Sequence, residues 1–479
     1  MEMEKRELEA FIKSFVKDLS ENNVSIFAGA GMSREAGCAN WPELLREIAD
    51  ELGLSVDKEY DLISLAQYHV NEKKNRHRIK TKILEEFADI DSPTINHKIL
   101  ARLPITTYWT TNYDALIEDS LSAEYKIVDM KHEVKQLTHT RPKRDAVVYK
   151  MHGDVNHPDD AILTKQQYEE YYKTHESFIA TLSGDLITKT FLFIGFSFTD
   201  PNLTHVLSRM NIQFGEGSRQ HYCFLKKETK TVDDDDEIFK YKKRKQELMI
   251  NDLRRYKVET ILVNEYSDIT TILLEIERRY KKKTIFISGS AEEYGHWNRE
   301  EAQNFIHLLS KSIVSNGYRV VSGFGWGVGS AVINGALDAV YENPKKNSED
   351  QLIIKPFPQF KTGEKELSIL WEEYRQRMIS LCGIAIFLFG NKKDESNNVV
   401  NANGVKREFE IAIEQGLIPI PLSATGYMSK IIFEAISSEP EKFLLGEIWI
   451  VKELEKINST SSMQDTIKII INIIKQLNK

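Results

Sequence analysis

The chain alternates short apolar runs with stretches in which apolar residues recur at helical spacing, and this rhythm predicts a parallel α/β protein. Runs at residues 24–27, 106–110, 146–151, 191–194 and 258–263 read as strands. Residues 4–19 place Leu8, Phe11, Ile12, Phe15 and Leu19 on one helical stripe, suited to core or subunit contact, with core packing the commoner outcome. A helix over 269–279 follows the fifth run, and residues 280–283 read as a short charged link. The rhythm then restarts. It predicts a strand at 284–287, a helix at about 299–315, a strand at 319–321, an amphipathic helix carrying Arg375, a strand at 384–389 and a helix over 405–410. The predicted fold class is α/β, with two Rossmann-like parallel-sheet domains in tandem, 1–283 and 284–479. No internal repeat is visible, and the Asn-rich segment 397–403 reads as a loop.

Composition changes the picture only by exclusion. Of 479 residues 41% are hydrophobic and 28% charged, with a net charge of −8, which removes disorder and a nucleic-acid surface from consideration. The basic stretch 240–245 is countered by the acidic stretch 233–237, as on a solvated loop or helix face. No apolar run approaches the ~20 residues of a membrane span, and the N-terminus lacks a signal-peptide core. The three cysteines, Cys38, Cys223 and Cys382, lie far apart, which fits a reducing compartment. A cytoplasmic enzyme with neither nucleic-acid nor membrane partners is the expectation.

Candidate chemistry stands where the strands of the first domain end. Gly29-Ala30-Gly31-Met32-Ser33 follows the first run, where a strand-to-helix turn can offer N–H groups to a pyrophosphate or can simply need glycine for its geometry. Thr110-Thr111-Asn112-Tyr113-Asp114 closes the second, so Asn112 and Asp114 face a ligand crevice or form an Asx turn. His152-Gly153-Asp154 ends the third. A His there can exchange a proton near neutral pH or sit satisfied as a structural residue. Gly195-Phe196-Ser197, leading into Phe198-Thr199-Asp200-Pro201-Asn202, ends the fourth.

In order and spacing these four motifs resemble the sirtuin family. That resemblance implies that Gly29, Ala30, Ser33 and Asn112 contact NAD, that Asp114 supports the site, that Gly195 and Ser197 hold the adenosine side, and that His152 is the general base. A structural zinc ribbon needs paired Cys-x-x-Cys ligands, and neither these nor a His/Cys cluster that could replace them is present, so no metal is expected. Without the ribbon the acyl-lysine cleft is in doubt, and cleavage of the nicotinamide–ribose bond with water as acceptor remains. Asn112 would orient the water or the nicotinamide carboxamide. Two rivals stand beside this reading, an NAD-dependent protein deacylase and a non-enzymatic nucleotide-binding module.

The second domain opens with Ser288-Gly289-Ser290-Ala291 after its first strand and Ser322-Gly323-Phe324-Gly325-Trp326-Gly327-Val328-Gly329 after its second. Four alternating glycines point to backbone pressed against a phosphate at a helix N-terminus, in preference to a packing turn. Arg375 and Lys392 could neutralise phosphates and Glu408 could accept from ribose hydroxyls, although each alone also reads as a surface charge. This half resembles the SLOG domains, nucleotide sensors of prokaryotic defence, and lacks the Pro-Gly-Gly-x-Gly-Thr-x-x-Glu motif of their phosphoribohydrolase relatives. The resemblance implies a signal pocket made by Gly289, Ser290, Gly323, Arg375, Lys392 and Glu408, closed over by residues 391–403. The order of the two domains resembles the NADase effectors of the Thoeris antiphage systems. It implies NAD as substrate, a cyclic ADP-ribose isomer made by a partner TIR-domain protein as activator, and a homo-oligomer, most simply a tetramer.

Overall fold

The computed structural model describes residues 2–479 apart from Tyr60, Asp91, Thr199, Asp233, Thr362 and Ser461. Thr199 of the motif after the fourth run, and Asp233 of the acidic stretch, therefore lie outside the described residues. The chain divides into two compact units, Met1–Glu277 and Arg278–Lys479. Their boundary falls inside the helix Ser267–Lys282, so most of the expected charged link is that helix's last turn.

In the first unit the described strands are β1 (Val24–Ala28), β2 (Thr107–Thr110), β3 (Val128–Lys131), β4 (Ala146–Lys150), β5 (Thr190–Ile194), β6 (His221–Lys226) and β7 (Val258–Val263). They form one parallel sheet in the order β3-β4-β2-β1-β5-β6-β7. Both β1 and β5 are buried at every position, which is why each reads as an unbroken apolar run. Parallel neighbours must be joined by crossovers, and here the crossovers leave β1 first to one side and later to the other. The switch point therefore lies between β1 and β5, and a ligand crevice is expected beyond their carboxyl ends. The N-terminal helix, Glu2–Ser20, buries Phe11, Ile12, Phe15, Val16 and Leu19, with Phe11 4.7 Å from the ring of Tyr222. Its stripe is core. Residues 240–245 lie on the helix Asp236–Arg255, where Lys242 pairs with Asp234 at 2.7 Å.

The second unit carries β8 (Thr284–Ser290), β9 (Arg319–Ser322), β10 (Leu352–Ile354), β11 (Ile384–Phe389), the hairpin of β12 (Asn391–Lys393) and β13 (Val399–Asn401), and β14 (Ile418–Pro421). Its parallel sheet runs β10-β9-β8-β11-β14, again switching direction at the first strand of the unit. β14 is an edge strand that contains two prolines. Ile418 and Leu422 donate inward to Gly383 and Phe387, so Pro419 and Pro421 face outward, where a strand's missing N–H costs nothing. Ile467, Ile470, Ile471 and Ile474 of the C-terminal helix Met463–Leu477 join the core of this unit. Among the described residues no helix is long and apolar enough to cross a membrane.

Two imidazoles of the first unit are locked away from water. Burial lowers the pKa of His97 from 6.5 to about 4 and that of His221 from 6.5 to about 3. The unfolded chain takes up these protons as pH falls through 6.5 while the native state refuses them, so stability declines with falling pH. Each should withdraw about 1.4 kcal/mol per pH unit between pH 6.5 and 5. Thermal midpoints at pH 7.5, 6 and 5 should fall in that order, and His221→Gln should flatten the decline.

Candidate functional site

At the switch point the turns after β1 and β5 touch through their backbones. The N–H of Gly29 donates to the Ile194 carbonyl and that of Gly31 to the Gly195 carbonyl, both at 2.9 Å. A Cβ on Gly29 would lie 2.5 Å from the Gly195 oxygen, and one on Gly195, whose φ is +63°, would lie 2.1 Å from the Met32 nitrogen. These glycines are needed because two protein turns interlock. The expected free donors are correspondingly fewer, since the N–H groups of Gly29, Gly31 and Met32 are all used within the protein. Ala30, on the short helix Ala30–Ser33, is half-buried, and Ser197 on the facing turn is exposed.

Asn112 follows β2, is buried, and donates through Nδ2 to the Gly29 carbonyl at 3.2 Å and to Ser33 Oγ at 3.1 Å. Its amide thus ties the second motif to the first. Asp114 is 3% exposed. Its Oδ1 accepts from the Leu116 N–H at 3.2 Å and its Oδ2 faces the Cys38 thiol at 3.9 Å. Of the two readings that the sequence left open for Asp114, local capping is what these contacts describe. Burial, with Asp114 close by, pushes the Cys38 thiol up to about 12.

His152 follows β4 and is 2% exposed, with Tyr168 and Tyr171 meeting its ring edge-on at centroid distances of 5.2 and 6.2 Å. Nδ1 lies 3.4 Å from the Tyr168 hydroxyl. Nε2 lies 3.2 Å from Asp200 Oδ2, an ion-pair distance without hydrogen-bond alignment. Burial lowers the imidazole pKa and Asp200 opposes that shift, so the ring is neutral at pH 7 and can accept a proton. The structure therefore brings Gly29, Ala30, Ser33, Asn112, His152, Gly195 and Ser197 to the carboxyl edge of one sheet.

Lys150 was not singled out by sequence reasoning. Its side chain is wholly buried, and Nζ donates to the carbonyls of Tyr113 (3.0 Å) and Asp114 (2.6 Å) and to Asp154 Oδ2 (2.5 Å), with Glu118 Oε1 at 3.3 Å. One ammonium thus joins the loop that carries Asn112 to the loop that carries His152. A buried Lys has no spacing signature, so only the fold reveals it.

The structure also assembles a donor cluster that spacing could not show. His132, Glu133 and Asp160 bring three potential ligand atoms within 4.8 Å of one another. Gln136 argues against an ion there. Its Oε1 accepts from the backbone N–H groups of His132 and Glu133 at 2.7 and 3.2 Å, which turns its NH2 toward His132 Nε2 at 2.9 Å. Nε2 is then an acceptor, and Nδ1, facing Glu133 at 3.9 Å, carries the proton in place of a lone pair.

In the second unit the alternating glycines pack closely against neighbouring protein groups. A Cβ on Gly325 would lie 2.0 Å from the Gly289 oxygen, and one on Gly327 2.0 Å from the Ala291 oxygen. The turn after β9 is pressed against the turn after β8, and it holds Phe324 and Trp326 out toward solvent. Behind it Glu408 accepts from Ser288 Oγ at 2.5 Å and lies 3.7 Å from Arg375 Nε, whose guanidinium stands 5.0 Å from the Phe357 ring. Burial raises the Glu408 pKa. Gly323 packs against Phe357, Ser290 Oγ donates to the Asn391 carbonyl at 3.0 Å, and Gly289 packs on Leu388. Lys392 is exposed on the β12–β13 hairpin, so most of the stretch read as a closing loop is a paired ribbon, closed by a hydrogen-bonded turn at Asp394–Asn398. Ser288 was missed by the sequence reading.

Residues 106–248 match the model of the SIR2-like domain, and residues 268–477 match that of the Sir2- and TIR-associating SLOG family. The chain is 50% identical to "NAD(+) hydrolase ThsA" of Bacillus cereus (strain MSX-D12), over 98% of each chain. It is 44% identical to the protein of the same name from Acinetobacter baumannii (strain 532279), covering 98% of this chain and 100% of that one. It is 40% identical to the one from Enterococcus faecium, covering 97% and 98%.

Removing the Lys150 ammonium would leave Asp154 and Glu118 buried without their cation. Lys150→Met should destabilise the first unit by about 3–5 kcal/mol, read as a lower urea midpoint of its transition, far more than a lysine substitution at exposed Lys392.

Proposed function

This chain belongs to the ThsA family of NAD(+) hydrolases, and on that footing we propose that it hydrolyses NAD to ADP-ribose and nicotinamide at the carboxyl edge of the first sheet. The observation that carries the reading is the convergence of Asn112 and a neutral, buried His152 beside the β1–β5 switch point. NAD lies along the turns of Gly29, Ala30, Ser33, Gly195 and Ser197, with Asp114 supporting the loop. As the N-glycosidic bond breaks, the ribose gains oxocarbenium character and nicotinamide leaves. His152 accepts a proton from the attacking water or a ribose hydroxyl, and Asn112 orients the water or the carboxamide. No metal takes part in this scheme.

The second unit acts as the sensor. A cyclic ADP-ribose isomer, made from NAD by a partner TIR-domain protein, binds near Gly289, Ser290 and Gly323. Arg375 and Lys392 meet its phosphates, and Glu408 its hydroxyls. The exposed rings of Phe324 and Trp326 offer a face for its base, which supports a nucleotide ligand. Such a signal works only by binding the active arrangement better than the inactive one. A cytoplasmic homo-oligomer, most simply a tetramer, provides those two states, and depletion of NAD stops an infected cell. The name of the second family model supports a TIR-linked role.

Purified protein should consume NAD when supplied with the right member of a panel of cyclic ADP-ribose isomers, releasing nicotinamide and ADP-ribose as followed by chromatography. Asn112→Ala and His152→Ala should lower turnover by at least about 10²-fold while leaving signal binding intact. Arg375→Ala or Glu408→Gln should remove the response to signal without touching the catalytic groups. Acyl-peptide turnover would indicate a deacylase. Nucleotide binding without turnover under every condition would indicate a binding module.

A further inference from the structure

His152 meets Tyr168 on one side and Asp200 on the other. The Tyr168 hydroxyl lies 3.4 Å from Nδ1 and also bonds to Asp200, which leaves the Nδ1 lone pair open, while the Asp200 carboxylate, which can only accept, stands on the Nε2 side. The proton of the neutral ring then sits on Nε2, and Nε2 faces Asp200 Oδ2 at 3.2 Å. Asp200 is itself nearly buried, and its position is set by a separate duty. Its Oδ1 accepts from the Leu203 N–H at 3.0 Å and caps the helix Pro201–Phe214. One carboxylate therefore spends one oxygen on the helix and turns the other toward the imidazole.

We propose that Asp200 is the positioning residue of His152, holding the imidazole with its proton on Nε2 so that Nδ1 is the base, and stabilising the imidazolium that forms. This deepens the NAD-cleaving reading above and rests on it. In the step, the water oxygen bonds to the ribose carbon as the nicotinamide–ribose bond breaks, and the water's proton passes to Nδ1, directly or by way of a ribose hydroxyl. Nicotinamide departs with the bonding pair, and the resulting cation is shared by Nε2–H and the Asp200 carboxylate. The proton later returns to solvent, so each turnover yields ADP-ribose, nicotinamide and one proton. At 3.2 Å the pair stands at ion-pair distance, so its attraction grows as the ring takes up the proton. The other titratable groups around the ring are Tyr168, Tyr171 and His175, the last stacked on Tyr171 at 4.4 Å. Among them Asp200 is the group that raises the imidazole pKa.

Asp200→Asn tests this, because Asn caps a helix as well as Asp does and removes only the charge. In the full-length chain, under conditions where the wild type hydrolyses NAD, kcat should fall by about 10²-fold or more with KM little changed. The acid limb of the pH–rate profile should move to lower pH, since the ring loses the charge that favours its protonated form. An unchanged melting temperature would show the cap intact. A fall in kcat with an unmoved acid limb would make Asp200 merely structural and overturn the proposal, as would wild-type kinetics. His152→Ala separates the two levels. If it retains turnover, the catalytic reading itself fails; if it is inactive while Asp200→Asn behaves as wild type, only the role of Asp200 falls.

Discussion

The first unit depends on how closely two backbone turns approach each other. The turns after β1 and β5 meet at less than the distance that a side chain would allow, and hydrogen bonds from Gly29 and Gly31 close the gap. Everything that converges at the carboxyl edge is placed relative to that interlock. Asn112 reaches the Gly29 carbonyl and Ser33 because the first turn stands where it does. Asp200 reaches His152 because the chain leaves β5 through Gly195, whose left-handed φ sends it over the site. Glycine here acts as a fastener between protein segments, and the ligand inherits the geometry.

The second unit repeats the device with a different cargo. Two of its four glycines, Gly325 and Gly327, are pressed against the exit of β8, so there the close approach is to protein backbone. What the packing produces is a rigid turn that displays two aromatic rings, with the Ser288–Glu408–Arg375 set behind it. Glycine density reports close approach, and sequence alone does not say whether protein or ligand is approached.

Most of the strands were legible because they are buried on both faces, and a short continuous apolar run bounded by turn residues is what such burial produces. β1, β5 and β11 fall where the pattern puts them, and so does β7, although it is an edge strand open at Leu262. β3, with Asp129 and Lys131, and β14, with its prolines, carry no such run and went unread. The hairpin β12–β13 hid in an Asn-rich segment because its ladder is short and its turn is held by Asp394. In the site, the residues on motifs were legible and the residues that hold them were not. Lys150 and Asp200 act across 36–48 residues of sequence, and a buried ammonium or a helix-capping carboxylate looks ordinary until its neighbours are in place.

The two prolines of β14 govern what can close over the edge of the second sheet. An exposed sheet edge normally offers a row of donors onto which another strand can zip, and that is a common route to unwanted fibres. Here the outward positions 419 and 421 have no hydrogen to give, while 418 and 422 have turned theirs inward. Every residue of β14 is buried as well, so this edge is covered by packing and is not open to another strand. A covered edge with no outward donor leaves no buried N–H without a partner, so apolar side chains can close over it at no cost in hydrogen bonds.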